Sequence, residues 1–226
     1  MNVDVAGGYF LTRPVPAPDY GEPGLLPETI RTVSGCLARL GFEFWWSEEN
    51  AADAVDFGMA PDQIDDLVAW YLERFERDLG APTVAFTTAV IRDFLNTFIA
   101  DPDDLIILGC AVTSRDADRI IQSFPTPEDM GEYGVRTMLE RRQPLEPGGA
   151  ELGFEVLSYE YGLEHSWLCN RLEDDALAEL GVSPNPRTGL LDSRQDATAV
   201  ADWINEGSIG AEPGLWLPWL IVEYGT

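Results

Sequence analysis

Lysine is missing altogether. All 14 basic residues are arginine, and 40 acidic residues set against them leave a formal net charge of −26. With so few cations the chain cannot assemble the basic footprint that grips a nucleic-acid backbone, nor the polybasic patch that holds an anionic membrane. Long hydrophobic runs are also absent. The longest, Leu105–Val112 and Leu215–Val222, contain Gly109 and Pro218 and fall far short of the roughly 20 residues that span a bilayer. Met1–Leu11 has neither a basic start nor a sustained apolar stretch, so no signal peptide is read there and the expected location is the cytoplasm. Cysteine is scarce: Cys36, Cys110 and Cys169 are an odd, widely spaced set, neither a disulfide framework nor a CxxC metal pair. No GxSxG, HExxH, P-loop or EF-hand pattern occurs, and Gly7–Gly8 and Gly148–Gly149 do not match a phosphate-binding loop. The expectation is therefore no catalytic residue, no cofactor and no metal.

What is present is a core. Apolar residues make up 45% of the 226 and aromatics 11%, which excludes a disordered acidic tail. Three causes can sustain the charge, whose self-repulsion costs stability. The surface can be built to dock on a basic partner, where complementary potentials speed encounter. The chain can live in high salt, where screening removes the penalty. Or the bias can be background composition, since arginine without lysine fits GC-rich coding.

Along the chain, residues 1–26 read as an irregular lead-in, with Pro14, Pro16, Pro18 and Pro23 in its second half. Residues 27–142 read as mainly helical. Pro27 followed by Ile30, Val33, Leu37 and Leu40 at helical spacing predicts a first helix, and Phe42–Trp46 a short strand-like stretch. The clearest helix is 61–79, with Ile64, Leu67, Val68, Tyr71, Leu72, Phe75 and Leu79 on its buried face and acids in its first turns. Val90–Phe98 predicts another helix, Leu105–Thr113 a buried strand, 114–124 a helix capped by Ser114, and 126–142 a further helix. Residues 143–150 are the best linker candidate. Beyond them, 151–226 reads as mixed: a strand over 152–161, a second over 165–169 and a helix over 173–180. A helix starting at Asp192 and Gln195 follows, and then a last strand, 215–224, which Pro218 demotes toward an edge or bulge. The fold class is α+β, in one compact unit.

Acidic density is uneven. No basic residue lies between Arg39 and Arg74, whereas acids are frequent there, with Trp45 and Trp46 just before them. Aromatic anchors ringed by carboxylates suit a cationic partner, because the rings supply desolvated area and the carboxylates pair with Lys or Arg. The candidate partner-binding residues are Trp45, Trp46, Glu48, Glu49, Asp53, Asp56, Asp62 and Asp66. The competing reading puts both tryptophans in the core and the acids on a solvated face. His165, the only histidine, stands four residues before Cys169. On a helix the two can share a face as metal ligands or a nucleophile pair. On a strand His165, Trp167 and Cys169 share a face, and a packed histidine is the simpler reading. Asp103–Asp104 and Glu173–Asp174–Asp175 can act as acid–base pairs or hold a divalent ion, but both sit where acids are favoured for capping alone.

The segments GFEVLSYEYGLEHSWLCN (153–170), GLLD (189–192) and EPGLWLPWLIVEY (212–224) resemble parts of small acidic bacterial proteins of immunity type, which are encoded beside polymorphic toxins and neutralise them. The resemblance implies a stoichiometric binder that occludes the active or substrate-binding face of a basic toxin. It carries no functional residues with it. The alternatives from the residues are a carboxylate-based or metal-assisted hydrolytic enzyme, and a salt-adapted protein of unrelated function.

Overall fold

In the computed structural model, which describes residues 4–18, 25–38, 52–74, 84–124, 134–160, 162–207 and 211–226, five antiparallel strands form the main sheet. They are β1 (Asp4–Thr12), β4 (Ile106–Thr113), β5 (Ala150–Tyr159), β6 (Leu163–Ser166) and β7 (Leu215–Tyr224). Their order is β1-β4-β7-β5-β6. A two-stranded ribbon pairs β2 (Val15–Pro16) with β3 (Thr29–Ile30). The helices among the described residues are α1 (Ile64–Arg74), α2 (Thr88–Phe98), α3 (Ser114–Ser123), α4 (Gly134–Arg141), α5 (Glu173–Leu180) and α6 (Arg194–Asn205). The fold is α+β. Among the described residues no helix is long and apolar enough to cross a membrane.

Alternation along the strands assigns the faces. On β7, Leu217, Trp219 and Ile221 point to one face, where Ala117 and Ile120 of α3 and Val135 and Leu139 of α4 meet them. Leu220, Val222 and Tyr224 point to the other, against Phe94, Phe98 and the aromatic side chains of α1. Trp216 shares that second face but packs with Val200, Ala201 and Ile204 of α6. Phe154 on β5 borders both groups.

Several sequence expectations need correction. Asp4–Thr12, within the lead-in read as irregular, is a nine-residue strand buried from Val5 to Thr12. Its outer edge is covered: Tyr9 exchanges backbone hydrogen bonds with Ala85 (3.0 and 2.9 Å), and the Ala6 amide donates to the Gln143 carbonyl at 2.8 Å. This is how an edge strand avoids pairing with another chain. β1 and β4, from the first part, join β7 and β5 of the second part in one sheet. Residues 143–149, read as a linker, pack on that sheet: the Tyr224 hydroxyl donates to the Glu146 carbonyl at 2.8 Å, and the Glu146 amide donates to Tyr9 Oη at 2.7 Å.

The helix expected after Pro27 does not form within the described residues up to Ala38. Thr29–Ile30 is strand, and a turn occupies 35–37. Thr29-Ile30-Arg31-Thr32-Val33 is β-branched at four of five positions, which favours extended backbone over helix. Helix α3 is capped by Thr113, whose Oγ1 accepts from the Asp116 amide, so Ser114 is the first helical residue rather than the cap. Helix α6 is likewise capped by Ser193, not Asp192. The expected stretches 42–46, 75–79 and 126–133 lie outside the described residues.

Pro218 sits in the central strand, not at an outer edge. Pairing of β4 with β7 ends at Ala111 and Leu220, so the 215–219 half of β7 has a strand only on its β5 side. Asn205 at the end of α6 takes the vacated positions. Its Oδ1 accepts from the Trp216 amide (3.1 Å) and its Nδ2 donates to the Trp216 carbonyl (2.8 Å). Pro218, two residues on, turns its missing N–H to that same side, where no ladder bond is lost. Asn205→Ala is expected to lower unfolding free energy by about 2 kcal/mol, because two backbone groups lose their partners at once. Urea denaturation checks this, and a loss within error of zero would show that Asn205 does not support the strand.

Candidate functional site

The acidic face comes first. Trp45, Trp46, Glu48 and Glu49 lie outside the described residues. Asp53 belongs to a short 3-10 helix, Ala52–Phe57, and Asp56 in the same helix is exposed. The Asp56 carbonyl accepts from Arg13 Nη1 at 2.6 Å, and Arg13 Nε also pairs with Asp104 Oδ2 at 2.6 Å. Asp62, in the 3-10 turn Pro61–Gln63 that leads into α1, and Asp66, in the first turn of α1, are both exposed. Successive 100° steps around the helix place Asp65, Asp66, Ala69, Leu72 and Glu73 on one outward face, and all five are exposed.

Leu72 is the correction here. Its spacing put it in the core, yet it is 60% exposed. Trp70 is buried instead, beside Leu67 and Tyr71. The indole meets Phe94 and Phe98 at 6.1 and 5.8 Å between ring centroids and donates from Nε1 to Asp93 at 2.9 Å. A tryptophan with two ring partners and a hydrogen-bond acceptor wins the inner face over a leucine. Arg74, the only cation among the described residues of α1, lies over the Trp70 ring at 4.6 Å, pairs with Asp93 at 3.0 Å and approaches Glu73 at 3.9 Å.

A second group was invisible to spacing. Cys36, His165 and Cys169 come together, with their ligand atoms all within 4.8 Å of one another. Two tight turns do this. Ser34 begins one, its carbonyl accepting from the Leu37 and Ala38 amides, with Cys36 inside it. Ser166 begins the other, its carbonyl accepting from the Cys169 and Asn170 amides. The Gly35 amide donates to the Leu163 carbonyl at 2.8 Å and stitches the turns together. The strand expected over 165–169 ends at Ser166. The turn after it returns Cys169 to His165 and sends Trp167 into the core beside α6, so these three residues do not share a strand face.

Glu155 holds both turns from beneath. It is fully buried on β5, and Thr32 Oγ1 donates to its Oε1 at 2.7 Å. Burial pushes its carboxyl up to about 7, an effect that Thr32, Ser166 and the Val33 backbone oppose. Each hydroxyl also fastens its own turn, for Thr32 Oγ1 accepts from the Ser34 amide and Ser166 Oγ from the Leu168 amide. Ser34 Oγ and Cys36 Sγ are 3.1 Å apart, and Asn170 Nδ2 donates to Cys169 Sγ at 3.3 Å. The hydrogen bond between the two thiols lowers the Cys36 pKa and raises that of Cys169. Sulfur and imidazole donors so placed can hold a soft cation or serve as a nucleophile. Cys110 is apart from them, fully buried, with its thiol pushed up by burial.

No protein-family model matches the chain, and neither the curated proteins nor the solved structures yield a match.

Proposed function

We propose that the chain is a non-enzymatic binding protein of immunity type, which neutralises a basic toxin in the cytoplasm by occluding its active or substrate-binding face. The outer face of α1 carries this reading. Leu72, 60% exposed, stands with Ala69 amid Asp65, Asp66 and Glu73, with Asp62 in the turn just before the helix, and Arg74 is engaged by the Trp70 ring and Asp93. An apolar centre inside a charged rim is the arrangement of an energetic contact surface. Trp45, Trp46, Glu48 and Glu49 extend the same acidic stretch of sequence and are proposed to contribute to it. A cytoplasmic setting suits three cysteines that form no disulfide.

Surface plasmon resonance against a basic toxin domain encoded beside this chain tests the proposal. Affinity is expected to fall between about 50 and about 200 mM salt as the carboxylates are screened. Leu72→Asp is expected to weaken binding by roughly 30-fold, mainly through faster dissociation. Asp65→Arg with Asp66→Arg is expected to slow association more than it speeds dissociation. A salt-independent Kd that Leu72→Asp leaves unchanged would overturn the assignment.

A further inference from the structure

We propose that Cys36, Cys169 and His165 bind one borderline-soft divalent cation of the zinc class, with a fourth coordination position open beside the exposed Cys36. The claim is independent of the toxin-binding reading.

Three observations carry it. First, the donors are of the right kind and distance. Two sulfurs and an imidazole nitrogen select zinc-like ions over magnesium or calcium. Tetrahedral bonds of about 2.3 Å to sulfur and 2.0 Å to nitrogen put such donors roughly 3.5–3.8 Å apart. Atoms already within 4.8 Å of one another need only small side-chain rotations to reach that spacing. Second, the grouping is selective. The chain has 40 carboxylates, yet among the described residues no other three His, Cys, Asp or Glu side chains gather this closely. Third, the surroundings are organised for it. Asn170 Nδ2 donates to Cys169 Sγ, the Ser34 hydroxyl touches Cys36 Sγ, and the buried Glu155 fixes both turns through Thr32 and Ser166. Groups that orient ligands and hydrogen-bond thiolate sulfur are what a metal site needs beyond its ligands.

Binding would place two thiolates and a neutral imidazole on a dication, a neutral unit in an acidic protein. With three protein ligands the site resembles an open site more than a closed structural one, so water or a donor from a bound molecule fills the fourth position. The cation would also clip residues 32–38 to β6 and the turn after it.

The experiment uses the reduced, metal-stripped full chain titrated with Co²⁺ and, separately, Zn²⁺. One equivalent of Co²⁺ is expected to produce sulfur-to-cobalt charge-transfer absorption and tetrahedral d–d bands, and Zn²⁺ is expected to bleach both. One equivalent of Zn²⁺ is also expected to protect two of the three thiols from a disulfide reagent in unmodified protein, a readout that does not depend on any variant folding. Cys36→Ser and Cys169→Ser are each expected to abolish the charge-transfer band, and His165→Ala to weaken binding at least tenfold. Cys110→Ala should leave the band intact. No charge-transfer absorption in the reduced wild type, or an undiminished band in Cys36→Ser, would overturn the site. So would a Cys36–Cys169 disulfide in freshly isolated protein that, once reduced, takes up neither ion.

Discussion

Gly8→Ala is expected to destabilise the protein by about 3 kcal/mol or more, enough to consume a large part of the stability of an ordinary domain. Gly8 follows a bulge in β1, where the register slips between Ala6 and Gly8 and Gly7 is the extra residue. Its φ of +131° lies where L side chains rarely go, and a Cβ there would come within 1.8 Å of Val84 Cγ2. Strain of roughly 1–3 kcal/mol and a buried clash therefore act together. Two further variants separate them. Gly148→Ala has φ +96° but nothing within 4 Å of the new Cβ, so it reports strain alone. Gly8→Ala combined with Val84→Ala relieves the clash, and their coupling measures it. Chemical denaturation reads all three. A Gly8→Ala loss no larger than that of Gly148→Ala would show that Val84 yields freely.

Glu173→Gln is expected to stabilise the protein above neutral pH, by an amount on the order of 1–2 kcal/mol after allowing for solvent screening. Glu173 opens α5, where an acid normally favours the helix end, but it is 1% exposed. Neither carboxylate oxygen finds a partner beyond the residue's own amide. Burial, reinforced by Asp174 and Asp175 and opposed by Arg171, raises its pKa to about 7. The sign follows. Between the ordinary glutamate range and about 7 the folded state holds a proton that the unfolded chain has released, so stability falls as pH rises through that window and levels off above it. Glutamine keeps the neutral shape and removes this slope. Glu155, also raised to about 7, leaves a residual slope of the same sign in the variant. Melting temperature against pH for wild type and Glu173→Gln decides it, and parallel curves would refute the reading.

Elements whose pattern and propensity agree were legible in the sequence. Leu105–Thr113 reads as a buried strand, Val90–Phe98 as an amphipathic helix and Glu173–Leu180 as a helix ended by Gly181, which adopts φ +69° there. β1 was not, because two glycines interrupt its apolar alternation and its outer edge is covered by Ala85 and Gln143, which are distant in sequence. The turns around Cys36 and Cys169 were hidden for the same reason. Pairing them requires knowing that the Gly35 amide meets the Leu163 carbonyl of β6 and that Thr32 meets the buried Glu155 of β5. In α1, periodicity found the helix and missed its rotation, since only the rings of Phe94 and Phe98 decide for Trp70 over Leu72.

The place of β7 has a consequence for how the molecule is built. It is the last of the five strands along the chain, yet it lies in the middle, with β1 and β4 on one flank and β5 and β6 on the other. A polypeptide emerging from the ribosome must therefore carry two half-finished ribbons whose inner rims wait for the same late segment. Until it arrives, each rim is a sticky template for neighbouring nascent chains, and the many like charges on them become the safeguard that keeps those chains apart.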